Sequence, residues 1–295
     1  FLSFSDLNLI SDQLANFKIE FLPPILILVT ISWFILFARW QILLKNSNII
    51  IPLKSSFAIF ISGFSLQFIP GEAGEFLKVQ LLKNKFNITR SKTSPIIITE
   101  MFYNAIGLVV LSVTSIWFFE FTIYIFVVFS VLLVLLFYLI NNKKYFLKII
   151  NKFLKIRFFK KYAEATAESL EIIQNLTKGK VLVYSVTLSI FFWFIECIAI
   201  HLLLSSFGIN TIELLALIPM YTSSIILGVV SFLPFGLGVF EGSLAGFLSL
   251  HGIHISISLT LVILARIITR WYSVFVGLVA LKITHGLSAH SNENE

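Results

Sequence analysis

Five apolar runs, each long enough to cross a bilayer, set the first constraint on how this chain can fold. A membrane-spanning helix needs about 20 mostly apolar residues. Runs near this length cover 21–44, 94–119, 121–141, 181–206 and 255–281. Only 13% of the residues are charged, against about 25% in a soluble domain. The sequence therefore predicts an all-α polytopic membrane protein, with a single transmembrane domain over 1–287 and a polar, disordered tail over 288–295.

Two further apolar stretches, 55–82 and 214–250, are each interrupted by a turn rich in proline and glycine. The turns read Phe68-Ile69-Pro70-Gly71-Glu72-Ala73-Gly74-Glu75 and Leu233-Pro234-Phe235-Gly236-Leu237-Gly238-Val239-Phe240-Glu241-Gly242. Proline and glycine break helices, and carboxylates are costly in lipid. Because each arm of the first stretch is too short for a full span, the pattern predicts two re-entrant or broken-helix hairpins. Pairs of short tilted spans are the alternative.

Basic residues are concentrated in three connections. The first connection is flanked by Arg39, Lys45 and Lys54, and the other two connections are 83–92 and 142–180. The loops around Glu120 and 205–213 carry no basic residue. The positive-inside rule places the basic connections in the cytoplasm, and this bias explains the net charge of +7 without invoking nucleic acid.

This orientation makes the two hairpins enter the membrane from opposite sides. Stretch 55–82 begins and ends inside, whereas 214–250 begins and ends outside if 255–281 crosses inward to Lys282. Such an inverted repeat places transport sites near the bilayer midplane. Apolar residues among the lysines of 142–180 predict a basic amphipathic segment at the cytoplasmic membrane surface, with a solvated connector as the alternative.

Each turn is followed by charged residues that could form a site. After the first, a helix N-terminus carries Glu75, and Lys78 lies one turn on and can pair with it. After the second, Gly236 and Gly238 permit a positive φ or close backbone approach, and Glu241 follows. Capping charges at the membrane edge are the alternative. The spacing of Gly242 and Gly246 is typical of close helix packing, although it also arises by chance.

A polar helix face lies about thirty residues after each proline. Glu100 and Asn104 share one face, and so do Arg266 and Arg270. Because buried charges in lipid should be paired, Arg266 or Arg270 is expected to contact one of the acids Glu75, Glu100 or Glu241. Arg270 could instead snorkel beside Trp271 and Tyr272. Glu196 is a further intramembrane acid, either a relay group or a structural carboxylate.

Together these residues suit an anionic substrate, since helix N-termini and arginines can hold a phosphate. The candidate substrate-binding residues are Pro70, Gly71, Gly74, Glu75, Lys78, Glu100, Asn104, Pro234, Gly236, Gly238, Glu241, Arg266 and Arg270. No metal or cofactor is expected, because His251 and His254 have no further ligands nearby. The chain has no Walker A pattern, nucleophile elbow or dinucleotide fingerprint, so we expect a protein that is not an enzyme.

Four sequence blocks resemble the flippase-like transmembrane domain of lysylphosphatidylglycerol synthases and its stand-alone bacterial and archaeal relatives. They are Arg39-Trp40-x-x-Leu43-Leu44, Pro70-Gly71-Glu72-Ala73-Gly74-Glu75-Phe76-Leu77-Lys78, Glu100-Met101-Phe102-Tyr103-Asn104, and Leu233 to Gly242 with Arg266 downstream. The resemblance implies a multi-pass protein of a prokaryotic cell membrane. It also implies one more helix before residue 1.

The chain departs from the family pattern at three positions. Met101 stands where the family usually has arginine, Asn104 where it has an acid, and Phe235 where it commonly has glycine. These changes affect the expected ion pairs. In lysylphosphatidylglycerol synthases a soluble aminoacyl transfer domain follows the membrane domain. This chain ends at Glu295, so the resemblance does not imply that enzyme activity.

The sequence favours a flippase that moves an anionic lipid, a polyprenyl phosphate or a phospholipid, between leaflets. Without an ATP site it would run downhill or use an ion gradient, with Glu75, Glu100 or Glu241 as proton carriers. The rivals are a transporter of a small soluble anion, a membrane subunit that docks a lipid-modifying enzyme through 142–180, and, more weakly, an enzyme acting on lipid-linked substrates. The sequence leaves homo-oligomerisation open.

Overall fold

The computed structural model describes residues 17–69, 74–118, 120–142, 144–146 and 163–289, and the residues it describes are helical or irregular with no strand. The helices are α1 (Leu22–Asn46), α2 (Leu53–Gly63), α3 (Leu77–Phe86), α4 (Arg90–Ser112), α5 (Glu120–Asn141), α6 (Ala163–Leu176), α7 (Gly179–Ser206), α8 (Leu214–Val230), α9 (Val239–Leu250), α10 (Ile255–Arg266) and α11 (Tyr272–Ala289). The all-α prediction is confirmed.

Five stretches of the described chain are long and apolar enough to cross a membrane, as predicted. They are Ile19–Asn46, Arg90–Phe118, Ile123–Asn141, Gly179–Ser206 and Ile255–Thr284. At a rise of about 1.5 Å per residue, the 25 residues of α1 extend about 37 Å, enough for a bilayer core of about 30 Å. Between Arg266 and Tyr272 the fifth stretch contains a turn of π-helix, Ile267–Trp271.

Both interrupted stretches form pairs of short helices. In the first, α2 and the 3₁₀ turn Phe64–Leu66 lead toward the break, and α3 leads away from it. The 11 residues of α2 extend only about 16 Å, roughly half a bilayer core. In the second, α8 and α9 flank the 3₁₀ turn Pro234–Gly236. The length of α2 agrees with a break within the membrane, whereas the 17 residues of α8 extend about 25 Å, most of a bilayer core.

The first span of each half packs at the centre of the molecule. Helix α1 lies along α7, and the spans α4 and α10–α11 flank this pair. The first hairpin packs against α11 and the second against α4, so each hairpin contacts the span that follows the other hairpin. This arrangement brings described residues beside both breaks, such as Ile69 and Phe235, to one cavity.

The predicted amphipathic segment 142–180 is described only in part, since residue 143 and residues 147–162 lie outside the described residues. Its last portion, α6, packs through the buried side chains of Leu170, Ile173 and Leu176. The Ser169 hydroxyl donates to the Ser91 carbonyl on α4 at 3.2 Å. Of the predicted tail, Ser288 and Ala289 are helical, and 290–295 lie outside the described residues.

Candidate functional site

A cavity of about 110 Å³ lies where the two hairpins meet the spans. One buried water needs only about 10–15 Å³ by this measure, so the cavity can hold several waters or an anion the size of a phosphate. Its polar lining includes Arg39, Gln67, Glu75, Lys78, Glu100, Asn104, Arg266 and Arg270. Leu233, Phe235 and Gly236 line it from the second hairpin. The structure thus brings most of the predicted site residues together.

Lys78 is the centre of the first charge cluster. Its ammonium lies 2.7 Å from Glu75 Oε2 and 2.6 Å from Glu100 Oε2. The same nitrogen lies 4.7 Å from the ring centroid of Trp40. Only 2% of the lysine is exposed, so the two carboxylates replace the water that its charge has lost. The predicted pairing of Glu75 with Lys78 is present.

Arg39 belongs to this cluster, which corrects its assignment to a cytoplasmic connection. The residue lies seven positions before the end of α1 and is 1% exposed. Its Nη1 donates to Asn104 Oδ1 at 2.8 Å and to Ser189 Oγ at 2.6 Å, and Nη2 lies 3.9 Å from Glu100 Oε1. The assignment was wrong because, in the sequence, an arginine this near a helix end cannot be told from a basic residue that flanks a loop. The positive-inside rule counts such residues without regard to whether the side chain points into the protein.

Arg266 and Glu241 form the second charge cluster. Arg266 Nε donates to Glu241 Oε1 at 2.8 Å, which is one of the pairings expected from the sequence. Its Nη2 donates to the Phe235 carbonyl at 2.7 Å, and its guanidinium stacks 3.9 Å from the Phe240 ring centroid. The other Glu241 oxygen accepts from the Gly238 N–H at 2.7 Å. One carboxylate therefore caps α9 and joins the second hairpin to the last span.

Arg270 lies in the π-helical turn and lines the cavity. A π-helix widens the turn, and such turns are frequent at functional sites. The guanidinium lies 6.0 Å from the Trp193 ring centroid. No carboxylate of the described residues lies within the 4 Å of an ion pair. Arg270 thus faces the protein interior rather than snorkelling to the membrane surface.

The second turn has positive φ at four residues, two of which are glycine. Gly236 and Gly238 have φ of 67° and 82°, as the sequence suggested, and Phe232 and Phe235 have φ of 53° and 54°. A Cβ at Gly236 would lie 2.6 Å from the Gly228 Cα, so the turn can pack on α8 only without a side chain there. By contrast, Cβ atoms at Gly242 and Gly246 would meet open space within the chain. The close helix packing considered for this pair is therefore not seen.

The tip of the first turn is described only from Gly74 onward. Pro70, Gly71, Glu72 and Ala73 lie outside the described residues. Residues 74–76 form a 3₁₀ turn that leads into α3. A Cβ at Gly74 would lie 1.8 Å from the Leu66 carbonyl oxygen, so the two arms touch at this glycine.

Each charge cluster is balanced among the described residues. Arg39 and Lys78 oppose Glu75 and Glu100, and Arg266 opposes Glu241. Arg270 lines the cavity as one cation beyond these pairs. Among the described lining residues it is therefore the excess cation, and the site suits a single anionic group. Among the described residues, no cluster of three or more His, Cys, Asp or Glu side chains could hold a metal ion.

Comparison with known proteins places this arrangement in a family. Two UPF0104 membrane proteins of the archaeon Methanothermobacter thermautotrophicus are similar, one 30% identical over 106 residues and the other 29% identical over 92. These alignments cover 36% and 31% of this chain but only 31% and 27% of the relatives' lengths. The model of the lysylphosphatidylglycerol synthase transmembrane region matches residues 1–277. The chain therefore belongs to this family of multi-pass membrane domains.

Proposed function

We propose that this protein moves an anionic lipid between the leaflets of the membrane. The phosphate headgroup passes through the central cavity while the acyl or polyprenyl chains stay in the bilayer. The observation that carries the proposal is the excess cation, Arg270, at the point where two broken hairpins meet. Broken helices that converge on charged groups within a membrane are typical of transport sites.

The surface beside the cavity favours a lipid over a soluble anion. Leu233 lines the cavity and is 45% exposed, and its neighbour Phe232 is 73% exposed. Trp271, next to Arg270, is 52% exposed. Apolar side chains exposed next to a buried charge let a headgroup enter from the side while its chains remain among other lipids. The name of the matched family, which refers to the phospholipid lysylphosphatidylglycerol, agrees with this substrate class.

The proposal needs no covalent chemistry. Binding and release of the headgroup, together with movement of the hairpins, are sufficient for transport, so we propose a transporter rather than an enzyme. A polyprenyl phosphate and a phospholipid share the anionic phosphate that the arginines would bind. Movement runs down the lipid gradient or is coupled to an ion gradient.

The test is lipid movement in liposomes that contain the purified protein. Fluorescent phosphatidylglycerol in the inner leaflet is protected from a membrane-impermeant reductant until it is flipped. We expect the Arg270→Gln variant to move it about 10–100-fold more slowly, since a charge-assisted contact contributes about 1.5–3 kcal/mol. The matched control is Lys282→Gln, because Lys282 is exposed near the cytoplasmic end of α11.

Three results would count against the proposal. If Arg270→Gln and the parent protein move phosphatidylglycerol at equal rates, Arg270 does not bind the headgroup during transport. Equal rates for phosphatidylglycerol and phosphatidylcholine would remove selectivity for an anionic headgroup. Uptake of sulfate by the same liposomes, without any lipid movement under any ion gradient, would favour the transporter of a soluble anion.

A further inference from the structure

Glu196 is a buried carboxyl group that the charge clusters do not use. It lies on α7, one helical turn beyond Phe192 and Trp193, which line the cavity. Only 4% of the residue is exposed. Among the described residues, no lysine or arginine lies within 4 Å of its oxygens. An ionised carboxylate buried in this way is costly, so its protonation state needs an account.

The hydrogen bonds around Glu196 fit a carboxylic acid better than a carboxylate. Ser32 Oγ lies 2.7 Å from the Val29 carbonyl oxygen and 3.2 Å from Glu196 Oε1. A serine hydroxyl has one hydrogen, and the shorter contact takes it. As a carboxylate, Glu196 receives only the longer branch of a hydrogen that Ser32 shares with Val29. As a carboxylic acid, it can donate a full hydrogen bond of its own to Ser32. The Tyr221 hydroxyl, 3.4 Å from Oε2, donates to the remaining oxygen.

The groups that face Glu196 are polar, and Arg270 is a cavity cation that packs about one helical turn away from it. Ser32 faces Glu196 from α1, Tyr221 from α8, and Cys197 is its neighbour on α7. Arg270, from the π-helical turn, lies 6.0 Å from the ring centroid of Trp193, which precedes Glu196 by one turn of α7. Arg266 lies farther off, since it stacks on Phe240, whose ring centroid is 6.0 Å from that of Tyr221. Arg270 itself faces the cavity. A charge that binds to Arg270 therefore acts on Glu196 as well.

We propose that Glu196 is a proton-binding site coupled to the anion site, so that one proton binds together with each anionic headgroup. Free Arg270 favours the ionised form of Glu196 by attraction. An anion bound to Arg270 cancels that attraction and favours the protonated form. Because linkage is reciprocal, the proton in turn strengthens binding of the anion. The inference rests on the proposed function, since it assigns the coupling of that transport site.

The acids expected from the sequence are poorer proton carriers. Glu75 and Glu100 share Lys78, and Glu241 pairs with Arg266. Protonation of Glu241 leaves Arg266 without its carboxylate. Protonation of Glu75 or Glu100 removes one of the two carboxylates that compensate the buried Lys78. Protonation of Glu196 breaks no ion pair among the described residues and adds a hydrogen bond to Ser32.

The test is binding of short-chain phosphatidylglycerol to the purified full chain, measured by calorimetry between about pH 6 and pH 9. The phosphodiester keeps one charge over this range, so any change comes from the protein. We expect the affinity to fall as pH rises, by up to about tenfold per unit, with proton uptake seen as heats that differ between buffers. Glu196→Gln, which mimics the acid, should keep the tight affinity throughout. Glu213→Gln, on an exposed loop, should behave like the parent protein.

A second variant and a second measurement make the outcome decisive. Ser32→Ala removes the acceptor for the acid proton, so the fall in affinity should move to lower pH. Infrared spectra should show a carboxylic acid carbonyl band that Glu196→Gln removes, and in the parent protein this band should persist to higher pH with phosphatidylglycerol bound than without it. If phosphatidylglycerol binds with no pH dependence and Glu196→Gln removes no such band, the proton site is refuted but the proposed function stands. If phosphatidylglycerol does not bind the parent protein at any pH, both fail.

Discussion

At the scale of single residues, the site is built from buried charged side chains that compensate one another within the membrane. Lys78 illustrates the energetics. Burial of its ammonium and of two carboxylates costs several kcal/mol per ion, and their mutual attraction offsets roughly that cost. Such a cluster therefore contributes specificity more than net stability. Removal of one member is different, because the others then stay buried without compensation.

Lys78→Met should destabilise the protein by about 3–5 kcal/mol, because Glu75 and Glu100 lose their shared cation. The double variant Lys78→Met, Glu100→Gln should recover at least about 1 kcal/mol of that loss, since the two residues are in contact. Thermal unfolding in detergent measures both. Lys83→Met, on the exposed side of the same helix α3, is the control. Additive effects of the two changes would show that the pair does not interact.

At the scale of helices and turns, sequence reasoning predicted the elements and two ion pairs, Glu75 with Lys78 and Arg266 with Glu241, but not the close packing of one helix on another. The five spans followed from apolar length, and both hairpins followed from proline and glycine within apolar sequence. The tight contacts could not be predicted, because they depend on a partner distant in sequence. A Cβ at Gly277 would lie 2.4 Å from the Ser65 nitrogen, and one at Gly107 would lie 2.9 Å from Ser189. No local signal marks either glycine.

Gly236→Ala should disturb the second hairpin, because the added Cβ meets the α8 backbone and the residue has a positive φ. We expect a loss of stability above about 1 kcal/mol, from strain at an unfavourable φ together with the backbone clash. Gly242→Ala is the matched control on the adjacent helix α9. It should be neutral or stabilising by up to about 1 kcal/mol, since alanine favours a helix more than glycine does. If the two variants unfold at the same midpoint, this account of the turn is refuted.

At the scale of the whole molecule, the two halves repeat one order of elements with opposite charges. Each half has a span, a broken hairpin and a second span, and α5 is a fifth span between the two sets. In the first half the hairpin supplies the cation and the span the acid, as Lys78 and Glu100. In the second half the hairpin supplies the acid and the span the cation, as Glu241 and Arg266. The polar face after each turn was predictable from spacing, whereas the part played by Arg39 required the fold.

Contacts between the ends of the spans agree with the orientation inferred from loop charge. On the side assigned to the exterior, the Lys18 N–H donates to the Ser206 carbonyl at 3.0 Å. On the side assigned to the cytoplasm, Gln174 Nε2 donates to the Ile140 carbonyl at 2.7 Å. Ends expected on one side of the membrane therefore meet one another, and the hairpins start from opposite sides.

Cysteine labelling in intact cells tests this arrangement of the whole chain. The native Cys197 is fully buried. Each variant is made in a Cys197→Ser protein, so that the maleimide can react only with the introduced thiol. A membrane-impermeant maleimide should label Glu213→Cys from outside but should label Lys83→Cys only after the cells are opened. Both positions are exposed, so access to the thiol is decided by the membrane alone. Labelling of both from the same side would mean that the hairpins enter from one face. The opposed charge pairs would then not lie at a shared midplane site, and the transport model built on them would fail.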